Sequence, residues 1–296
     1  MRRILSVLLL LGMIGLGGAW AVTRPTPLPA DSLAGLTGDP ARGEQVFWAG
    51  GCASCHAAPE AEGEDRLKLG GGLRLPSPFG TFVAPNISSD PEHGIGTWSA
   101  LDLANAMQRG LSPQGRHYYP AFPYVAYANT TLQDIVDLKA FLDTLPAETT
   151  PDQPHDLRFP FSIRPLLGGW KLLYAGKGFV LPEPSDAQIA RGRYLAEALG
   201  HCGECHTPRG PLGGLNRDQW LGGAAIPAGE GETPNITPGG LDWSATDIAF
   251  YLETGFTPQF DSAGGEMASV VKNMAHLPAA DREAIAAYLK AVPAVE

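Results

Sequence analysis

Cys-x-x-Cys-His occurs twice in the chain, as Cys52-Ala53-Ser54-Cys55-His56 and Cys202-Gly203-Glu204-Cys205-His206, and the two copies use all four cysteines. Two thiols at this spacing add across the two vinyl groups of a porphyrin, and the histidine that follows reaches the iron as its proximal ligand. The pattern therefore predicts two covalently bound haem c groups. Cys52 and Cys55 would attach the first and Cys202 and Cys205 the second, with His56 and His206 as axial ligands. Other chemistries fit less well. Zinc needs four ligands converging on one metal, whereas each cysteine pair here has its own histidine in a separate half of the chain. A thioredoxin-type pair expects a βαβ setting, and disulfide frameworks belong to much shorter secreted chains.

At 296 residues the chain has room for about two domains. Its 37 glycines and 27 prolines predict long irregular loops between helices. The net charge of −10 argues against nucleic acid or anionic headgroups as partners. Residues 1–23 read as a signal peptide or membrane anchor: Met1-Arg2-Arg3 is basic, residues 4–22 carry no charge, and Ala19-Trp20-Ala21 fits a small-x-small cleavage site. Either way the arginines stay inside and the bulk of the chain is exported to the periplasmic side of the bacterial inner membrane. Residues 24–37, rich in proline, read as a tether.

The remainder repeats one order of signals. Ala41-Arg42-Gly43 and Ala190-Arg191-Gly192 open helices that run into the two motifs, the second with a Ser185-x-x-Gln188 capping-box pattern. Gly71-Gly72 is matched by Gly222-Gly223, and Pro85-Asn86-Ile87-Ser88 by Pro234-Asn235-Ile236-Thr237. Trp98-Ser99-x-x-Asp102 and Trp243-Ser244-x-x-Asp247 each open a short helix ending at Gly110 or Gly255. Each half closes on an amphipathic helix stopped by Pro146 or Pro293. Strand alternation is absent. The expected fold is all-α: two tandem class I cytochrome c domains, 38–148 and 185–296, joined by an apolar strap, 149–184. The strap is expected to pack against both domains, with docking to a partner subunit or the membrane surface as the functional alternative. Asn86, Trp98, Asn235 and Trp243 recur near the haems, either bonded to propionates and the ligand loop or serving turns and packing.

The sixth ligands differ between the halves. Methionine there raises the potential and histidine lowers it relative to methionine. Met267 lies in the second half's ligand loop, with Met274 as a core-packing competitor. Trp98 and Trp243, like Gly110 and Gly255, are 145 residues apart, and the same offset carries Met267 onto Phe122, which cannot ligate iron. Three outcomes follow for the first haem: His117 as a second histidine, Met107 from the middle helix, or an open sixth position. His117 is the preferred candidate.

These residues resemble the multihaem cytochrome c subunits of bacterial periplasmic dehydrogenases of the alcohol and gluconate type. The likeness rests on Cys-x-x-Cys-His, Pro-Asn-Ile-Ser/Thr, Trp-Ser and the Tyr119-Pro120-Ala121-Phe122-Pro123-Tyr124 loop, and covers nearly all of residues 38–293. It departs from the family at Phe122, where the family has methionine, and in carrying two haem motifs rather than three. The resemblance implies an electron-transfer subunit that is not itself an enzyme. It would take electrons from a dehydrogenase catalytic subunit and pass them to quinone, a terminal oxidase or a soluble cytochrome, with the membrane reached through the N-terminus. The competing class is a dihaem enzyme of peroxidase or thiosulfate dehydrogenase type with a reactive first haem. A sensor would need an output domain that the motifs do not provide.

Overall fold

The computed structural model describes residues 2–227, 229 and 231–296; Met1, part of the basic N-terminal reading, lies outside them. Helix α1 (Arg2–Thr23) contains the described span long and apolar enough to cross a membrane, residues 3–23 with mean hydropathy 2.1. The first half then runs α2 (Pro40–Ala49), α3 (Cys52–His56), α4 (Ala100–Arg109), α5 (Tyr124–Tyr127) and α6 (Leu132–Leu142). Helix α7 (Leu166–Tyr174) lies between the halves. The second half runs α8 (Ala187–Arg193), a π-helical turn (Tyr194–Leu199), α9 (Gly203–His206), α10 (Ala245–Thr254), α11 (Gly265–Met274) and α12 (Ala279–Ala291).

The Arg-Gly pairs mark helix crossings. Gly43 on α2 packs on the backbone of α6 so tightly that a Cβ there would lie 2.0 Å from the Asp137 carbonyl. Gly192 on α8 meets α12 in the same way, with a Cβ 1.8 Å from the Ala284 carbonyl. The neighbouring arginines tie each pair together, Arg42 to Asp137 at 2.8 Å and Arg191 to Asp281 at 2.7 Å. Asp39 caps α2, with Pro40 in the first helical turn, and Asp186 caps α8 through the amides of Gln188 and Ile189. The expected Ser185–Gln188 box does not form: the cap is Asp186, one residue later, whose carboxylate accepts two orphan amides.

Both middle helices carry complete capping boxes, Ser99 with Asp102 and Ser244 with Asp247, and both end at a left-handed glycine, Gly110 at φ 58° and Gly255 at φ 78°. The all-α expectation needs one correction. β1 (Arg74–Ser77) and β2 (Gly80–Val83) form an antiparallel hairpin, and β3 (Asp156–Leu157), from the chain following the first half, adds to β2. Strands of four and two residues are too short for alternation to register in the sequence.

One buried apolar cluster draws on both halves, including Phe47, Leu69 and Ile135 from one and Leu195, Leu221 and Tyr288 from the other. Trp48 stacks on His276 with ring centroids 3.8 Å apart, and the Tyr127 hydroxyl donates to the Gly50 carbonyl at 3.0 Å with His201 edge-on to its ring. Helix α11 reaches across: Asn273 Nδ2 donates to Ser54 Oγ at 2.7 Å and Ser269 Oγ donates to the same atom at 3.0 Å. Ser54 lies inside the first Cys-x-x-Cys-His, so the helix bearing Met267 is docked on the other half's attachment motif.

Candidate haem sites

Each site is assembled from the proximal histidine outward. Gly51, in the left-handed region at φ 63°, turns the chain from α2 into α3. His56 then bonds through Nδ1 to the carbonyl of Pro85 at 2.8 Å. A carbonyl only accepts, so Nδ1 carries the proton and Nε2 keeps its lone pair for the iron. His206 does the same with Pro234, also at 2.8 Å. Burial lowers the pKa of both histidines, which favours the neutral imidazole that ligation requires.

The loops that supply these carbonyls are held by matching bonds. The Gly71 amide donates to the His56 carbonyl and the Gly223 amide to the His206 carbonyl, each at 2.8 Å. Asn86 donates through Nδ2 to the Glu148 carbonyl at 2.6 Å and the Thr150 carbonyl at 3.0 Å, and accepts the Ser88 amide at 2.9 Å. Asn235 donates to the Val295 carbonyl at 2.7 Å and accepts the Thr237 amide at 2.9 Å. Both asparagines therefore act at one remove. They pin the proline loop to the chain beyond the terminal helix, and the proline carbonyl pins the histidine. Trp98 and Trp243 pack partly buried against the core, Trp243 edge-on to Tyr251 at 5.2 Å.

The thiols suit covalent haem. All four cysteines are free of disulfides. Burial pushes the Cys52 and Cys202 thiols up to about 12. Burial also pushes Cys55 to about 11, helped by Glu266 and by Cys205, so the second cysteines of the two motifs are close enough to influence each other. Among the described residues no three of His, Cys, Asp and Glu converge as an ordinary metal cluster. A thiol pair beside a neutral imidazole whose Nδ1 is already bonded is the donor set that haem c needs, and it is present twice.

The distal residues sit as follows. Met267 is in the first turn of α11, partly buried against the core, where a loop was expected. Met274, at the other end of α11, is 4 % exposed and packed in the core. Phe122 lies against the core with its ring 5.6 Å from Tyr127 and 5.9 Å from Tyr118. His117 lies at the end of α1. Its Nε2 bonds to the Thr23 carbonyl at 3.0 Å, its Nδ1 is enclosed without a partner, and Arg164 donates to its main-chain carbonyl at 2.9 Å. Burial and Lys171 lower its pKa, so the ring fastens the end of α1 as a neutral group. Met107, on α4, is 5 % exposed and part of the core. Sequence reasoning did not find Ser54, Tyr127 or His201 as contacts between the sites; no local signal marks them.

Residues 40–146 match the family model described as cytochrome c. A diheme cytochrome c-type protein of Cereibacter sphaeroides is 58% identical over 297 residues, the full length of both chains. The chain belongs to the cytochrome c family. The cytochrome carries two c-type haems. It is also 37% identical to the fructose dehydrogenase cytochrome subunit of Gluconobacter japonicus over 92% of its own length, and 35% identical to the cytochrome c subunit of the quinone alcohol dehydrogenase of Gluconobacter oxydans over 86%. It spans 55% of the length of each of these two subunits.

Proposed function

We propose that this dihaem cytochrome is an electron-transfer subunit that receives electrons from the catalytic subunit of a dehydrogenase and delivers them to quinone, a terminal oxidase or a soluble cytochrome. It works on the periplasmic side of the bacterial inner membrane, with residues 1–23 as its anchor and 24–37 as tether. Two tandem class I domains, 38–148 and 185–296, each hold one haem, and 149–184 straps them together. The observation that carries this reading is the duplicated bond from a motif histidine to a proline carbonyl, 2.8 Å in both halves. It is supported by the names of the dehydrogenase cytochrome subunits the chain is similar to.

Bound haem supplies one-electron chemistry at iron. The chain's own residues decide where that iron sits and how it is tuned. Cys52, Cys55, Cys202 and Cys205 fix the macrocycles, and Pro85 and Pro234 orient His56 and His206. Met267 would supply the sixth ligand of the second haem. For the first haem the internal repeat points to Met107. An offset of 145 residues pairs Met107 with Leu252 and Phe122 with Met267. All four side chains pack into or against one core cluster. The sulfur and the apolar group have thus traded places: helix sulfur with loop aromatic in one half, helix leucine with loop sulfur in the other. His117, bonded to Thr23, is not required as a ligand.

Near-infrared spectra of the oxidised protein test this. Two sulfur-to-iron charge-transfer bands are expected, one lost in Met107→Leu and the other in Met267→Leu. A reduced wild-type first haem that binds carbon monoxide rapidly would instead support the dihaem-enzyme reading, which Phe122 alone favours.

A further inference from the structure

The strap helix has two faces with different chemistry. Its inward face joins the halves. Lys171 Nζ donates to the carbonyls of Arg109 at 2.6 Å and Gly110 at 2.8 Å, which end α4, and Trp170 Nε1 donates to the Leu212 carbonyl at 2.8 Å in the second half. Its outward face is apolar and exposed. Leu166, Leu172 and Leu173 are each 57% exposed, and Phe159 (82%) and Ile163, just before the helix, are exposed as well. An amphipathic helix fixed this firmly on one side, with bare leucines on the other, has an unmet demand for apolar contact.

What covers that face follows from where α1 ends. A Cβ at Gly168 would lie 2.1 Å from the Thr23 carbonyl, so the last residue of α1 rests directly on α7. The same carbonyl accepts the bond from His117, and the Leu28 amide donates to Asn105 Oδ1 at 2.7 Å, fastening the tether just beyond. The apolar span therefore meets the globular part at α7. Charge points the same way. Residues 157–182 carry four cations and no acid in a chain of net charge −10; Lys171 and Arg164 are engaged inward on main-chain carbonyls, which leaves Arg158 and Lys177 exposed. The net charge argues against anionic headgroups for the molecule as a whole; this segment is the exception.

We propose that the outward face of α7, together with Phe159 and Ile163, lies in the headgroup and upper acyl region of the bilayer that α1 enters, so that the strap seats both haem-bearing halves on the membrane surface. Lipid is favoured over a protein partner because α7 touches the end of α1, which brings the strap to the point where the apolar span meets the globular part. Apolar side chains flanked by basic ones are the composition of helices that lie in this region. The inference rests on reading α1 as an anchor, and the experiment separates the two.

The native cysteines are taken by haem, so one introduced cysteine gives a single labelling site. Leu172→Cys, Leu173→Cys, Ile14→Cys and Glu283→Cys are each spin-labelled in the haem-loaded full chain, in nanodiscs of phosphatidylethanolamine and phosphatidylglycerol. Unchanged haem absorbance certifies each variant. Relaxation by dissolved oxygen is compared with relaxation by a water-soluble nickel chelate. Oxygen is expected to dominate several-fold at 172 and 173 as at 14, with the reverse at 283. Labels at 172 and 173 that behave like 283 while 14 lies in lipid would overturn the strap proposal and leave the anchor standing. A nickel-accessible label at 14 would overturn the anchor; the strap proposal then stands only if 172 and 173 still favour oxygen. Labels at 172 and 173 shielded from both relaxants would overturn it in favour of a protein contact.

Discussion

The proximal sides of the two haem sites are built from the same bonds, and the distal sides are not. Each proximal side has a histidine on a proline carbonyl, a glycine amide on the histidine carbonyl and an asparagine clamping the proline loop, with distances that agree to about a tenth of an ångström where the bonds match. Where the sixth ligands are proposed, the first half has a four-residue helix and an aromatic at 122, the second a ten-residue helix carrying Met267. Covalent attachment and the histidine tautomer allow one solution, so duplication preserves it. The sixth position sets the potential, and axial identity moves haem potentials over about 0.8 V. If Met107 and Met267 both ligate, the axial pairs match and only the element presenting the sulfur differs, so the two centres would be tuned through the surroundings of that sulfur.

The largest expected effect tests the sameness of the proximal sides. Replacing Cys52 and Cys55 by alanine, or Cys202 and Cys205, should each remove one haem from the protein mass and leave the other's spectrum intact. A wild-type mass without two haems would break the comparison at its root. The distal difference comes next. Met267→Ala should lower the potential of the second haem alone, because methionine favours the ferrous state. The double exchange Met107→Leu with Phe122→Met should make the first site resemble the second, and spectroelectrochemistry should show the two potentials drawing together. An unchanged first potential would remove Met107 from the ligand set.

Legibility in the sequence follows the same division. The motifs, the capping boxes and the Arg-Gly pairs are local, so their chemistry is written in adjacent residues. The proline carbonyl that takes His56 is 29 residues away, and the serine that Asn273 binds is 219 away. Pro-Asn-Ile could be recognised as recurring without revealing what it holds. The contact of His117 was hidden for a related reason: its partner, the Thr23 carbonyl, is a backbone atom 94 residues distant and leaves no mark in side-chain types. The strands were hidden by brevity, and the cap at Asp186 by a serine placed one position earlier.

The helix crossings offer a smaller, symmetric test. Gly43→Ala and Gly192→Ala would each drive a methyl into a carbonyl of the facing helix, and overpacking at that distance should cost about 3 kcal/mol. Thermal unfolding should show both, and a mutant that loses nothing would mean its crossing is looser than its twin. Removing the loop clamps should have less effect. Asn86→Ala leaves buried carbonyls and an amide without partners, at about 2 kcal/mol. Asn235→Ala, which also loses three bonds but at a less buried site, should cost less. Each change should also shift the potential of its own haem by loosening the histidine's proline partner, which a purely structural role would not do.

The smallest expected effect is a pH dependence at the α2–α6 crossing. The Asp137 side chain has no accessible surface. Burial opposes its ionisation, but bonds from Arg42, the Asp39 amide and Gln133 outweigh burial and hold its pKa below the ordinary carboxylate value. A carboxyl depressed in the folded state binds its proton more readily when unfolded. Its contribution is therefore complete above the unfolded pKa of about 3.9 and is lost as pH falls through the folded value. Stability should decline between about pH 4 and the acid limit of the folded protein, and part of that decline should vanish in Asp137→Asn. Arg42 stays half exposed, so water and salt screen the pair and the effect should shrink at high ionic strength. Denaturant midpoints at pH 3 and pH 5, with and without the substitution, measure it. Equal pH slopes in wild type and Asp137→Asn would show that the buried carboxylate does not carry a pH dependence at the α2–α6 crossing.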